Sequence, residues 1–102
     1  MTRVGLWFLS GLLLFGHKTA SVTLAWDPAR DKEIVGYRIY YTDITGHKAA
    51  KAKSLDVGLT THAGIPNLLA GHTYYFAVTA VNSSGRESPP SNLVKYVVVS
   101  HK

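Results

Sequence analysis

Few of the residue types that carry chemistry fall at spacings that would let them act together. The histidines His17, His47, His62, His72 and His101 are scattered, with no interval that would bring two onto one metal ion, and the chain has no cysteine. A disulfide framework, a thiolate metal site and a cysteine-linked lipid anchor are thereby excluded. Asp27, Asp31 and Glu33 gather in one short stretch. Calcium asks for roughly six to eight oxygens in a defined loop, and three carboxylates without a glycine-centred pattern fall short, so they read as turn and solvated residues. Ser83, Ser84, Ser88 and Ser91 lie in a turn-rich stretch with no nucleophile-elbow pattern and read as mobile-loop serines. These residues give no catalytic constellation, no metal site and no cofactor site, and the expectation is a chain that is not an enzyme.

The elements that must position any functional side chain are strands. Val22, Leu24 and Trp26 alternate with Thr23 and Ala25 until Asp27 and Pro28 stop the run. Residues 36–41 place Tyr37, Ile39 and Tyr41 on one face, with Arg38 and Tyr40 on the other. Residues 47–57, which hold Lys48, Lys51 and Lys53, read as a short edge strand or a loop; lysines on an exposed edge deter unwanted pairing. Thr61, Ala63 and Ile65 alternate again. The strongest strand, residues 74–81, turns Tyr74, Phe76, Val78 and Ala80 inward and Tyr75, Ala77 and Thr79 outward. After a turn-rich loop over residues 82–90, Val94, Tyr96 and Val98 mark a last strand within residues 92–100, with Lys95 on its opposite face. Short strands separated by turn signals, with no helical stretch after residue 20, predict an all-β sandwich.

Segments in order along the chain resemble the fibronectin type III family, over almost all of residues 21–99. Ser-Val-Thr-Leu-Ala-Trp-Asp-Pro, ending in Trp26-Asp27-Pro28, looks like strand B with its core tryptophan. Gly36-Tyr37-Arg38-Ile39-Tyr40-Tyr41 looks like strand C, with Tyr37 as its core tyrosine. Residues 67–82 are similar to the corner and strand F, with Leu68 and Tyr74 in the paired corner positions, and Ser88-Pro89-Pro90-Ser91 resembles the entry to strand G. The wording is closest to compact bacterial exported versions. The resemblance implies an immunoglobulin-like sandwich whose structural core includes Trp26, Tyr37, Leu68 and Tyr74. It also implies that strands C and F are antiparallel neighbours. Outward Tyr40 and Tyr75 then lie close together, with Arg38 and Lys95 on the same face, a surface suited to stacking on a sugar ring or anchoring a protein contact. Gly85-Arg86-Glu87-Ser88 only superficially resembles the family's Arg-Gly-Asp adhesion loop, and no integrin-type activity is carried over. Asn82-Ser83-Ser84 satisfies the glycosylation sequon but equally suits the end of a strand and its turn. Three departures stand out: Ala63 replaces a usual aromatic in strand E, Ala70 replaces a usual proline in the corner, and strand A is missing.

The missing strand follows from the reading of the N-terminus. Arg3, an uncharged run over residues 4–16 and the small residues Thr19, Ala20 and Ser21 have the layout of a secretory signal peptide. The run is shorter than the roughly 17 to 25 residues a spanning helix needs, so no stable membrane span is expected. The expected organisation is a signal peptide over residues 1–20 and one domain over residues 21–102, exported to an extracellular or periplasmic location. A length of 102 residues leaves room for one core, and 46% hydrophobic residues against 17% charged exclude a disordered chain. The formal charge is +5, but from Ser21 onward nine Lys and Arg face six Asp and Glu, a balance too weak to argue for nucleic acid. The expected function is a secreted interaction module for protein or polysaccharide, with a structural spacer or self-assembling subunit as the alternative. Without strand A, the edge of strand B would stand open to strand addition by a partner or a second copy.

Overall fold

The computed structural model describes residues 6–15, 19–44 and 51–99, with side chains from residue 19 onward. It is an all-β sandwich of two antiparallel sheets. One sheet orders β1 (Leu6–Phe15), β2 (Thr19–Trp26) and β5 (His62–Leu69) as β1-β2-β5; the other orders β4 (Lys53–Gly58), β3 (Ile34–Asp43), β6 (Thr73–Asn82) and β7 (Val94–Val97) as β4-β3-β6-β7. Among the described residues no helix is long and apolar enough to cross a membrane. Arg3 and residues 16–18 of the leader reading lie outside the described residues, as do His17, His47, Lys48 and His101.

Period-two alternation decides which residues enter the core. Val22, Leu24 and Trp26 from β2, Tyr37 and Ile39 from β3, Ile65 and Leu68 from β5, and Tyr74, Phe76, Val78 and Ala80 from β6 are buried between the sheets, and Val98 closes them below β7. The four core residues named from the sequence are all there. Trp26 is 1% exposed, with its ring centroid 5.6 Å from that of Tyr37. The Tyr37 hydroxyl accepts from the Ala29 N–H at 2.9 Å. At the corner, the Tyr74 hydroxyl accepts from the Leu69 N–H at 2.8 Å, fastening the β5–β6 connection to the core. The stretch left open as edge strand or loop contributes the edge strand β4, whose Lys53 is exposed.

One expectation is corrected. The outer edge of β2 is not bare in the full chain, because β1 pairs along it: Leu6 stands opposite Trp26, Leu9 opposite Thr23, Leu13 opposite Ser21 and Phe15 opposite Thr19. A first strand is present, drawn from the apolar run that reads as a leader. The reason is physical. A short uninterrupted apolar run has no period that separates strand from other uses, and an open ladder beside it supplies backbone partners that an isolated segment lacks. The register slips between Leu9 and Leu13, an irregularity that the regular β3–β6 pairing over residues 36–43 does not share.

Candidate functional site

The four candidate face residues do share one surface, the outer side of the β4-β3-β6-β7 sheet. Arg38 and Tyr40 alternate on β3 opposite Thr79 and Ala77 of β6, while Tyr75 stands opposite Thr42 on one side and Lys95 of β7 on the other. Tyr40 and Tyr75 are thus diagonal cross-strand neighbours, one step removed from a directly opposed pair.

Arg38 and Tyr40 are already engaged with acids that sequence reasoning did not place. Arg38 Nε donates to Asp56 Oδ1 at 2.5 Å, from directly across the β3–β4 ladder, and its Nη1 lies 3.1 Å from Glu87 Oε2. Glu87 Oε1 accepts from the Tyr40 hydroxyl and, at 2.8 Å, from the Thr79 hydroxyl. A single bridge between Val81 and Glu87 brings the loop back beside β6 and aims this carboxylate across the sheet. Asp56 was findable, since it alternates onto Arg38's face once β4 is registered. Glu87 was not, because its position depends on the path of the loop.

The network perturbs its members in opposite directions. The Tyr40 hydroxyl, with help from Thr79 and Arg38, holds the Glu87 carboxyl below the usual carboxylate range, while the Glu87 carboxylate pushes the Tyr40 phenol up. Asp56 first, then Tyr40, raises the affinity of Arg38 for its proton. For Glu87, the folded value lies below the unfolded one, so its contribution is present above the ordinary carboxylate range and lost as pH falls through the lowered value. For Tyr40 the folded value is raised, and its contribution is lost as pH climbs through it. Tyr40→Phe should therefore move the Glu87 titration midpoint upward in a carboxyl-resolved NMR titration. An unmoved midpoint would show that the phenol is not its main partner.

The remaining chemistry-bearing residues sit apart. Asp31 Oδ1 accepts from the Glu33 N–H at 2.9 Å, a turn contact, and Asp27 and Glu33 are exposed. Among the described residues no group of three His, Cys, Asp or Glu is placed to hold a metal ion. His72 Nδ1 meets Asp43 Oδ2 at 2.5 Å, beside a hollow of about 570 Å³ lined by Tyr41, Lys53, Leu55, Leu68 and Tyr74, a mainly apolar wall between β4 and the corner. Asn82 Oδ1 accepts from the Ser84 and Arg86 N–H groups and so builds the turn after β6. Ser83 and Ser84 are exposed, but the reading of Ser88 and Ser91 as mobile-loop serines is corrected: both are buried and bonded to β6. Their N–H groups donate to the Ala80 and Val78 carbonyls, and their hydroxyls accept the Ala80 and Val78 N–H groups in the place of strand carbonyls.

Comparison with known proteins agrees with this architecture. A curated relative, a Kelch domain-containing protein of Saccharolobus solfataricus, is 42% identical over 71 residues, which is 70% of this chain and 9% of that protein. The chain thus spans less than a tenth of that relative's length. The third fibronectin III domain of the human KIAA0343 protein superposes with a TM-score of 0.72 at 23% identity, covering 100% of this chain and 85% of that one. The FN5 domain of Drosophila Lar gives 0.68 at 16% identity, covering 97% of each. Domains of this kind are generic interaction or spacer modules, typically non-catalytic, and often occur in extracellular proteins. The fibronectin type III domain profile matches residues 15–96, and the chain belongs to that family.

Proposed function

We propose that the chain is an exported, non-catalytic interaction module that takes a protein or polysaccharide on the outer face of the β4-β3-β6-β7 sheet. The observation that carries this reading is the braced aromatic pair. Tyr40 is fixed by Glu87 and Arg38, so its ring is held without further ordering on binding, and Tyr75 stands diagonal to it beside exposed Lys95. With Arg38 shared between two carboxylates, the face favours stacking and hydrogen bonding over attraction of a strongly anionic partner. Export rests on the basic start and apolar run of the N-terminus. The run then has two fates: it caps β2 while retained, and it leaves that edge open to a partner strand once removed.

A spacer reading is favoured by a separate observation, the small share of the Kelch domain-containing relative that the chain matches. One experiment separates the two. Protein recovered from a secreting host, its N-terminus read by mass spectrometry near Ala20 to Val22, is screened by glycan array and pull-down beside the Tyr40→Ala/Tyr75→Ala double variant. The variant should lose the partner by about tenfold or more while keeping its fold, since aromatic anchors dominate such contacts. Unchanged affinity removes this face, no partner in either screen favours the spacer, and full-length chain left in the cytoplasm refutes export.

A further inference from the structure

We propose that β7 is a self-pairing edge through which two copies of the chain join antiparallel, in a register centred on Tyr96. This goes beyond the binding-face reading and does not depend on it. The first support is where the backbone points. The Val98 N–H donates to His72 at 2.9 Å and its carbonyl accepts from Gly71 at 2.7 Å, both on the β6 side. On β6, Val78 and Ala80 turn their N–H and C=O groups the same way, toward residues 91 and 88, and their even-numbered neighbours Tyr74 and Phe76 stand opposite Tyr96 and Val94. An antiparallel ladder alternates, so Lys95 and Val97 direct their N–H and C=O groups away from β6. Among the described residues β7 has β6 as its only ladder neighbour.

The second support is the side chains. Leu93, Val97 and Val99 are 67%, 51% and 53% exposed, and with Lys95 they make one outward row along this edge. The other edges carry more protection than the single exposed Lys95 gives β7. On β5, Pro66 offers no N–H and Asn67 breaks the extended run at φ 61°. On β4, exposed Lys53 and Asp56 line the strand and Gly58 ends it at φ 75°. On β1 the register slips between Leu9 and Leu13.

The third support is that the edge is self-complementary, which is the ground for taking a second copy as its occupant. Outward groups on odd-numbered residues can meet only if the two-fold axis passes through a residue and not between two. An axis at Lys95 would set two lysines face to face. An axis at Tyr96 sets each Lys95 opposite Val97 of the second copy and each Leu93 opposite Val99, so that all three exposed aliphatics are covered and the lysines are kept apart. The result is a continuous eight-stranded sheet built from two four-stranded ones.

Light scattering behind size exclusion on the full chain, from low to high micromolar concentration, should show the mass double. Val97→Lys places two lysines opposite each other at two equivalent positions and should raise the dimer dissociation constant by about tenfold. Adding Lys95→Glu to Val97→Lys should restore pairing, because only this register sets position 95 against position 97. Amide exchange at Lys95 and Val97 in the parent chain needs no variant and should slow as concentration rises. A monomer at every concentration, a Val97→Lys dimer as tight as the parent, failure of the charge swap to rescue, or exchange at Lys95 and Val97 independent of concentration would each overturn the proposal.

Discussion

Replacing Trp26 by alanine should cost about 3 to 5 kcal/mol, close to the whole stability of a small domain, and leave a substantial unfolded population at room temperature. Trp26 is the largest fully buried side chain among the described residues, and its neighbours cannot move in to fill the space it leaves. They are strand residues whose positions are set by ladders, on both sides for Leu24 of β2 and for Tyr37 and Ile39 of β3, and on one side for Ile65 of the edge strand β5. Tyr37 would lose its tilted ring partner while its hydroxyl stays tied to Ala29. The indole also carries the one buried side-chain polar atom among the described residues with no hydrogen-bond partner, Nε1. Trp26→Phe should therefore be far milder than Trp26→Ala, since it loses volume but removes an unmet donor. Tyr74→Phe supplies the scale, losing about 1 kcal/mol with the Leu69 bond. Urea unfolding of the three variants with a common slope tests the order. Equal and mild losses for Trp26→Ala and Tyr74→Phe would show that the core does not depend on the indole.

That core was legible because burial on a strand is written as alternation, and the alternating runs around Trp26, Tyr37 and Tyr74 are long enough to fix a face. Shared placement of Arg38, Tyr40, Tyr75 and Lys95 on one surface follows from the same parity and needs only the correct neighbours. What was not legible depends on paths and not on periods. Glu87 reaches Arg38 and Tyr40 because a loop returns beside β6, which no local pattern records. The apolar run over residues 6–15 has no alternation to read, so its pairing with β2 is decided by an open ladder that belongs to another part of the chain. The serines of residues 83–91 look alike in sequence, and geometry alone divides them into two that face water and two that complete a sheet.

Those two serines carry the other large effect. β7 pairs with β6 only from Thr73 to Phe76, so farther along that edge the N–H groups of Val78 and Ala80 would be buried with no strand to receive them. Residues 88–91 run alongside instead. The Ser88 and Ser91 N–H groups donate to the Ala80 and Val78 carbonyls at 2.8 and 2.9 Å, and the two hydroxyls accept from the Ala80 and Val78 N–H groups, both at 2.9 Å. Each hydroxyl spends its own proton locally, on the carbonyl of Pro89 or Asn92, which orients its oxygen toward the strand. Alanine at either position orphans a fully buried backbone donor, at about 1 to 3 kcal/mol per site. The double variant Ser88→Ala/Ser91→Ala should thus lose about 2 to 6 kcal/mol, rivalling Trp26→Ala, although only two oxygen atoms are removed. Ser83→Ala and Ser84→Ala, exposed in the same loop, should stay within about 0.5 kcal/mol of the parent. Hydrogen exchange separates this account from a general loosening of the loop. Protection should fall first at the Val78 and Ala80 amides while Ile39, buried on the neighbouring strand β3 away from the loop, remains protected until global unfolding. Unfolding midpoints for the buried pair that match those of the exposed pair would mean that the hydroxyls merely accompany the turn and do not complete the sheet.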